Sequence, residues 1–197
     1  MREMIKMVVV LTILSFFSGG VLAYIRNTYQ GRIDNQVLEF VKGPAVRTIF
    51  EGAGNDPIAD RFTIKDGEVE RTFFVGVFDG EPRGVAFETS GKGYGGDVGL
   101  MVGIDVKDSK LMGVSVTTHG ETPGMGAKAK SDPGFVAQYK GLDLEKPIAV
   151  TLDGGSISAI SGATITSRAV SSAATDADKI YQKLKTQIAD NLKKFNK

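Results

Sequence analysis

Residues 98–116 read VGLMVGIDVKDSKLMGVSV, and most of their apolar side chains fall on every second position. Alternation with a period of two is typical of β-strands, because successive side chains on a strand point to opposite faces of the sheet. The run breaks at Lys107–Lys110, where consecutive polar residues indicate a turn. The stretch therefore predicts two antiparallel strands joined by a short turn, which is a β-hairpin.

A second hairpin is predicted upstream of the first. Thr72–Phe78 is apolar and aromatic, Asp79–Pro82 has the composition of a turn, and Gly84–Phe87 supplies the returning strand. Further along the chain, Ile148–Leu152 is predicted as another strand, which ends at Asp153-Gly154-Gly155. The middle of the chain is therefore expected to be a glycine-rich, mostly antiparallel β region.

Helical spacing is found on both sides of the β region. From Val170 to Leu192 apolar residues recur every three or four positions, which predicts a long amphipathic helix at the C-terminal side. Residues 26–42 carry a weaker pattern of the same kind, and Gly43-Pro44 is expected to end that helix. Helices and antiparallel strands in separate blocks indicate the α+β class.

The N-terminal region contains an uncharged stretch, MVVVLTILSFFSGGVLAYI, at positions 7–25. At about 1.5 Å per residue, a helix of this length nearly spans the roughly 30 Å hydrocarbon core of a bilayer. Two interpretations stay open: a membrane anchor flanked by Lys6 and Arg26, or a secretory signal cleaved after Val21-Leu22-Ala23. Apolar residues persist past Phe17, which favours the anchor. Either interpretation exports the C-terminal part of the chain.

These patterns divide the chain into three expected parts. Residues 1–25 would be a transmembrane anchor with a short cytoplasmic tail, residues 26–61 a connecting helix and loop, and residues 62–197 the folded domain. The expected architecture is therefore an N-terminal transmembrane helix, a mostly antiparallel β domain and a C-terminal amphipathic helix that closes it.

Composition excludes several classes of function. The chain has 24 Lys and Arg against 23 Asp and Glu, and this near-neutral balance argues against nucleic acid as a partner, because phosphate binding needs a basic surplus. There is no Cys, which excludes disulfides, thiolate metal sites and iron–sulfur ligation, and a single His excludes a multi-His metal site. A redox role would therefore need an organic cofactor held through oxygen.

The first of three clusters that could carry chemistry is Ser161-Gly162-Ala163-Thr164-Ile165-Thr166-Ser167, directly before the C-terminal helix. Small residues let a backbone approach a ligand closely, and the free N–H groups of a helix N-terminus favour anions. From the residues alone, two interpretations stay open: a turn with a Ser or Thr N-cap, or a site for a phosphate or phosphoester.

The second and third clusters flank the hairpin of residues 98–116. The second, Thr118-His119-Gly120-Glu121-Thr122-Pro123-Gly124-Met125-Gly126, follows it, and the third, Gly93-Tyr94-Gly95-Gly96, precedes it. Structural interpretations are open here too: His119 as an ordinary hydrogen-bonded residue, Glu121 as a cap of the glycine loop and Tyr94 as a core residue.

A hydrolase triad of Asp153, His119 and Ser161 is a further alternative, and the pattern argues against it. Such a triad is recognised by its geometry. Ser161 lacks the G-x-S-x-G elbow of an α/β-hydrolase, and the alternation of strands and helices typical of that fold is absent from the sequence pattern.

The three clusters resemble, in the same order, motifs of the FMN-binding domains found in ion-translocating electron-transport complexes. Residues 153–164 resemble the flavinylation motif of that family, in which an Asp precedes Ser/Thr-Gly-Ala-Thr and the Thr of that tetrapeptide carries FMN through a phosphoester bond. The resemblance implies that Thr164 is the FMN acceptor. It also implies that a separate flavin transferase takes the FMN from FAD and leaves AMP.

The second cluster resembles the His-x-Glu-Thr-Pro-Gly-Leu-Gly element of the G subunit of Rnf-type ferredoxin:NAD oxidoreductases. Met125 stands in place of the Leu, a swap that conserves volume. The third cluster resembles the Gly-Tyr-Gly-Gly turn of the same family, with Asp97 where a Pro usually follows. The sister family, the C subunit of the sodium-translocating NADH:quinone reductase, shares the Glu-Thr-Pro-Gly and Ser-Gly-Ala-Thr elements but usually lacks the His, so His119 favours the Rnf type.

The resemblance implies an electron-transfer subunit that relays electrons between ferredoxin and NAD through a covalently bound FMN in an ion-translocating complex. That complex would lie in a bacterial or archaeal cytoplasmic membrane, crossed once by this chain, with the FMN domain on the periplasmic or extracellular side and no independent turnover. The implied partners are other membrane and iron–sulfur subunits, a second flavinylated membrane subunit, the flavin transferase and membrane lipid.

The cofactor-binding residues implied by the resemblance are the acceptor Thr164 and its neighbours in the three clusters, with no catalytic residue and no metal ligand: Ser161, Gly162, Ala163, Ile165, Thr166, Tyr94, His119, Glu121 and Thr122. One alternative is the FMN-carrying C subunit of the sodium-translocating NADH:quinone reductase. An alternative of another class is a flavin-free envelope domain that binds lipid or polymer.

Overall fold

The structure is a computed structural model that describes residues 1–144 and 146–196. The chain divides into two compact units, Met1–Phe40 and Val41–Lys197. The first unit is almost entirely helix α1 (Arg2–Val37), which has no buried residue in the described part of the chain. The helical region that α1 begins is long and apolar enough to cross a membrane, a property that it shares with signal sequences near an N-terminus.

A five-residue π-helical turn, Leu38–Lys42, separates α1 from a second helix, α2 (Gly43–Ile49). Gly43-Pro44 begins α2, so the prediction that it ends the preceding helix is wrong. Proline fits in the first turn of a helix, because the N–H it lacks would have no intrahelical partner there. α2 buries Ala45, Val46 and Ile49 in the second unit.

The β region is one antiparallel sheet in which the strand order follows the chain: β1 (Arg61–Asp66), β2 (Val69–Phe78), β3 (Glu81–Lys92), β4 (Asp97–Asp105) and β5 (Lys110–Val116). Both predicted hairpins are confirmed, as β2–β3 and β4–β5. The first turn is shorter than predicted. Only Asp79 and Gly80 lie outside the strands, and their φ values of 53° and 82° suit a two-residue hairpin turn, whereas Pro82 belongs to β3.

Helices cover both faces of the sheet. The long helix α5 (Thr164–Leu192) packs on β3 and β4 from one side, and α2 packs on β4 and β5 from the other. Gly103 of β4 makes room for α2, since a Cβ there would lie 2.1 Å from Cγ2 of Ile49. This two-sided cover explains why β4 is buried from Val98 to Asp105 instead of alternating between buried and exposed positions.

The predicted apolar stripe of α5 is confirmed at most positions. Val170, Ala173, Leu184 and Ile188 are buried against the sheet, while Ile180 is half-buried and packs at the edge of the core. An antiparallel sheet closed by a C-terminal helix confirms the α+β class.

Ile148–Leu152 is not a strand of the sheet, so that prediction is wrong. Val150 forms one isolated bridge to Ile157, and Thr151–Asp153 is a turn of 3₁₀-helix. The backbone N–H of Ile148 donates to the Thr175 hydroxyl on α5 at 3.1 Å, and the hydroxyl in turn contacts the Ile148 carbonyl at 3.1 Å. Ile148 and Val150 are buried whereas Leu152 is 70% exposed, and a short apolar run does not distinguish this arrangement from a strand.

Two further helices complete the second unit, α3 (Lys128–Ser131) and α4 (Pro133–Ala137). They lie between β5 and α5 along the chain, and α4 buries Phe135 in the core. The Asp132 side chain caps α4 by accepting the N–H of Gly134 at 2.9 Å. These helices lead the chain from the second predicted cluster towards the first.

Candidate functional site

The three predicted clusters meet at one end of the sheet, and Glu121 joins them. The Glu121 carboxylate accepts the backbone N–H of Gly95 on Oε1 at 2.9 Å and the hydroxyl of Thr166 on Oε2 at 2.5 Å. Gly95 lies in the turn between β3 and β4, Glu121 follows β5, and Thr166 lies in the first turn of α5. Segments far apart in the sequence therefore form one site.

Glycines around Glu121 allow this close approach. A Cβ on Gly93 would lie 2.4 Å from Glu121 Oε1, and a Cβ on Gly126 would lie 2.6 Å from Oε2. A Cβ on Gly95 would lie 2.1 Å from the carbonyl oxygen of Gly120. Heavy atoms do not approach this closely without a clash, so Gly95 lets the two loops pack backbone to backbone, and Gly93 and Gly126 leave room for the Glu121 carboxylate.

The Glu121 carboxyl is buried, with 6% of its residue surface exposed. Burial raises its pKa, but hydrogen bonds from the Thr166 hydroxyl and from the N–H groups of Gly95 and Tyr94, together with the electrostatic effect of His119, outweigh burial and lower the pKa. The Nδ1 of His119 also accepts the Glu121 N–H at 3.3 Å. Glu121 is therefore ionised at neutral pH.

The first cluster forms the loop that leads into α5. Thr164 is the first helical residue, and Ala163 stands at the N-cap position, where its methyl side chain cannot cap the helix. Gly162 adopts a positive φ of 78°. The Ser167 hydroxyl braces the loop from within, because it accepts the Ile160 N–H and donates to the Ala163 carbonyl, both at 3.0 Å.

The absence of a side-chain cap within the described residues leaves the N–H groups of the first turn of α5 open to a ligand. Thr164 is partly exposed at this point, and Ser161 and Gly162 are exposed. A helix N-terminus with free N–H groups attracts anions, and it can hold a phosphate without a basic side chain.

Large apolar side chains of the three clusters lie in exposed positions. Tyr94 is 76% exposed, so the alternative that it is a core residue is wrong, and Ile165 is 48% exposed. Met125 is 49% exposed, and its Cε lies 3.3 Å from the position of a Cβ on Gly162. The sequence prediction omitted Met125 from the site, although its place in the second cluster pointed to it. Exposed apolar groups gathered at one place indicate a surface that a ligand or partner covers.

Asp153 forms an ion pair with Arg168 on α5. Its two carboxylate oxygens accept hydrogen bonds from Nε and Nη2 of Arg168, each at 2.7 Å, and this ion pair lowers the pKa of Asp153 and raises that of Arg168. The His119 Nδ1 that a triad would direct at Asp153 is bonded to the Glu121 N–H. The hydrolase triad therefore does not form.

Residues 93–179 match the family model described as the FMN-binding domain, and this match covers all three clusters. This region of the chain is similar to FMN-binding domains. It includes the candidate acceptor Thr164 and the residues that Glu121 brings together.

Curated relatives are similar to parts of this chain. The G subunit of the ion-translocating oxidoreductase complex from Stutzerimonas stutzeri is 35% identical over 127 residues, which are 59% of this chain and 53% of the relative. The protein of the same name from Methanosarcina acetivorans is 29% identical over 170 residues, which are 86% of this chain and 89% of that relative. The chain thus spans about half the length of the Stutzerimonas relative and most of the Methanosarcina one.

Two solved structures resemble this chain. The C subunit of the Na(+)-translocating NADH-quinone reductase from Parabacteroides distasonis has 30% identity and a TM-score of 0.50, over 58% of this chain and 62% of the other. Shewanella oneidensis NqrC has 25% identity and a TM-score of 0.52, over 71% of this chain and 72% of the other. These likenesses confirm the α+β fold.

Proposed function

We propose that this chain is an electron-transfer subunit of a membrane-bound ion-translocating oxidoreductase complex and carries FMN through a phosphoester bond to Thr164. The observation that carries the proposal is the meeting of the three motifs of the FMN-binding domain at the uncapped N-terminus of α5, whose first residue is Thr164. The same partly exposed hydroxyl thus stands where a phosphate would be stabilised and where an enzyme can reach it.

The surroundings of Thr164 fit a phosphoester. The N–H groups of Thr164, Ile165 and Thr166 lie in the first helical turn, where the helix dipole is equivalent to about half a positive charge. Gly162 and Ala163 place little side-chain bulk before the helix. A phosphodiester carries one negative charge, and this backbone environment stabilises it without a Lys or Arg.

The exposed apolar groups fit a flat aromatic ring. Tyr94, Met125 and Ile165 are exposed residues of the three clusters, and they offer an aromatic ring, a thioether and an aliphatic chain, groups that pack on the isoalloxazine of FMN. Thr122 and His119 supply polar groups nearby. The bound flavin supplies the electron-transfer chemistry, and the residues of the chain position it, shield it from water and set its electrostatic surroundings.

The attachment step follows from the resemblance to flavinylated domains. The Thr164 Oγ would form a bond to the phosphorus of the FMN half of FAD, the bond that joins this phosphorus to the AMP half would break, and AMP would leave. The hydroxyl proton would pass to a base that the flavin transferase supplies. A covalent tether matters on the exported side of a membrane, where a dissociated flavin would be lost by diffusion.

The setting of the site supports a membrane complex. The N-terminal apolar helix α1 would anchor the chain in the cytoplasmic membrane, with the FMN domain on the periplasmic or extracellular side. The names of the curated relatives favour the G subunit of an Rnf-type complex, which couples ferredoxin and NAD to ion translocation, over the sodium-translocating NADH:quinone reductase. The partners would then be iron–sulfur and membrane subunits, including a second flavinylated one.

The test uses the full chain co-expressed with a flavin transferase. Wild type is expected to gain the mass of FMN less water and to fluoresce in a denaturing gel, and Thr164→Val is expected to be dark. Thr63→Val is the matched control, because Thr63 is an exposed residue of the edge strand β1. Fluorescence in Thr164→Val would refute the acceptor assignment, and wild type without added mass would favour the flavin-free envelope domain. Co-purified iron–sulfur subunits would distinguish the Rnf type from the sodium pump.

A further inference from the structure

The side chains of Thr166 and Glu121 form a hydrogen bond that is buried below the surface of the site. Thr166 is 1% exposed and Glu121 is 6% exposed, and their side chains are joined at 2.5 Å. Hydrogen bonds to an ionised acceptor are the strong kind, and burial strengthens them further. The carboxylate therefore holds the first turn of α5 from the inside, out of reach of a ligand at the surface.

The helical geometry relates this contact to the acceptor. Side chains in an α-helix are about 100° apart per residue, so side chains two positions apart point about 200° apart. When Thr166 points inward to Glu121, Thr164 must point outward, and Thr164 is indeed partly exposed. A rotation of the first turn that released Thr166 would turn Thr164 away from its present direction.

The other oxygen of Glu121 fixes the position of a second loop. Oε1 accepts the N–H of Gly95 at 2.9 Å, and the N–H of Tyr94 also lowers the pKa of this carboxyl through a hydrogen bond. The same carboxylate thus holds the backbone that carries the exposed Tyr94 ring and the turn that carries Thr164. Both are set relative to each other without any contact from Glu121 to the surface.

We propose that Glu121 is a positioning residue: through Thr166 it orients Thr164 for the attachment of FMN before any flavin is present. This inference rests on the proposed function, because it concerns the loading of Thr164. The contribution of Glu121 differs from that of Ser167, whose hydroxyl makes its hydrogen bonds to Ile160 and Ala163 of the same loop. Glu121 ties the loop to the rest of the site.

The test compares variants that break the contact with one that breaks an equivalent contact elsewhere. Thr166→Val removes the hydroxyl and keeps the shape of the side chain, and Thr166→Ser restores the hydroxyl. The matched control is Thr89→Val, because Thr89 also donates a buried hydrogen bond to α5, at 3.0 Å to the Ala173 carbonyl, well away from the acceptor along the helix. The assay is the initial rate of FMN attachment to full-length apo-protein by purified flavin transferase with FAD, over a range of apo-protein concentrations.

Thr166→Val is expected to lower the kcat for attachment about tenfold or more with a smaller change in KM, because a misplaced nucleophile slows the reacting step. Thr166→Ser is expected to recover most of the rate, and Thr89→Val to stay within about twofold of wild type. Hydrogen exchange of the apo-protein supplies an independent readout: the amide of Ser167, which donates to the Ala163 carbonyl at 3.0 Å, should exchange faster in Thr166→Val than in Thr89→Val.

Wild-type attachment rates in Thr166→Val would overturn the inference while leaving Thr164 as the acceptor. Equal losses in Thr166→Val and Thr89→Val would also overturn it, since they would reflect general stability. A wild-type chain that accepts no FMN would instead refute the proposed function, and the inference with it.

Discussion

Gly91 of β3 lies directly under the backbone of α5: a Cβ added to Gly91 would lie 2.0 Å from the carbonyl oxygen of Ala169. At this point the main chain of the helix that begins at Thr164 contacts the sheet directly, with no side chain of Gly91 between them. One turn further on, the Thr89 hydroxyl of the same strand donates to the Ala173 carbonyl. β3 thereby sets the height of α5 above the sheet.

Gly91→Ala is expected to destabilise the domain by about 3 kcal/mol, because the new methyl group meets a backbone atom that cannot rotate away. The matched control is Gly113→Ala in β5, whose Cβ would lie at an ordinary 3.9 Å from the nearest neighbouring atom, Cγ1 of Ile49. Urea unfolding followed by circular dichroism measures both. Equal stabilities in the two variants would show that α5 can lift off the sheet at little cost.

The buried Tyr139 is expected to make the folded protein less stable at alkaline pH. Its hydroxyl is paired with the Ser171 hydroxyl at 2.9 Å, and burial raises the pKa of Tyr139 from 10.0 to about 12. An unfolded chain would release the phenol proton from about pH 10, whereas the folded chain would keep it until about pH 12. The stabilisation that comes from the raised pKa of Tyr139 is therefore complete below about pH 10 and is lost as the pH rises through about 12. The total loss in the free energy of unfolding is about 2–3 kcal/mol.

Tyr139→Phe isolates this effect, since Phe cannot ionise. The variant is expected to be less stable than wild type at about pH 8, by about 1 kcal/mol, because Ser171 loses its partner. The difference should shrink and then reverse as the pH rises above about 10, measured by urea unfolding at each pH. Parallel stability curves for the two proteins across this range would contradict the raised pKa.

Asn55 is expected to stabilise the irregular part of β2. Its Oδ1 accepts the Val77 N–H at 2.8 Å and its Nδ2 donates to the Val75 carbonyl at 2.9 Å, on either side of the register shift at Gly76/Val77. Asn55→Ala leaves both backbone groups without this partner and should cost about 1–3 kcal/mol by thermal unfolding. Asn191→Ala, which removes an exposed hydrogen bond on α5, should stay within about 0.5 kcal/mol.

The Asp153–Arg168 ion pair is expected to behave as one unit. Asp153→Asn, Arg168→Gln and the double variant should lower the melting temperature by similar small amounts, because either single change already removes the interaction. The pKa of Asp153 is lowered in the folded state, so the contribution is present above the ordinary value of 3.8 and is lost as the pH falls through the folded value. Additive losses in the double variant would mean that the pair is not coupled.

The hairpins could be predicted because alternation of apolar residues is a local property of a strand. The failures share a cause: they depend on what packs against a segment. Ile148–Leu152 has the composition of a strand, but Ile148 bonds to Thr175 on α5 and the N–H of Thr151 donates to the nearby Ile157 carbonyl. Gly43-Pro44 has the composition of a helix stop. In the structure the preceding helix α1 has already given way to the π-helical turn Leu38–Lys42, and Gly43-Pro44 begins α2.

At the site, the residue types could be predicted from the sequence, whereas the structural role of each residue could not. The three clusters and Thr164 could be recognised from motifs, but the helical pattern begins only at Val170, whereas α5 begins at Thr164. The Glu121–Thr166 bond joins residues 45 positions apart, so no local pattern reveals it. The sequence leaves open whether Glu121 binds a ligand or caps the glycine loop, and in the structure both of its oxygens are bonded inside the protein.

The order of the strands has a consequence for how the protein is made. Each strand of the sheet pairs only with its neighbours along the chain, so the sheet can assemble progressively while a ribosome is still adding residues. α5 packs on β3 across a separation of 84 residues at the Thr89–Ala173 contact, and it is synthesised after every strand. Thr164 therefore reaches its native surroundings only after α5 has been synthesised and has packed on the complete sheet.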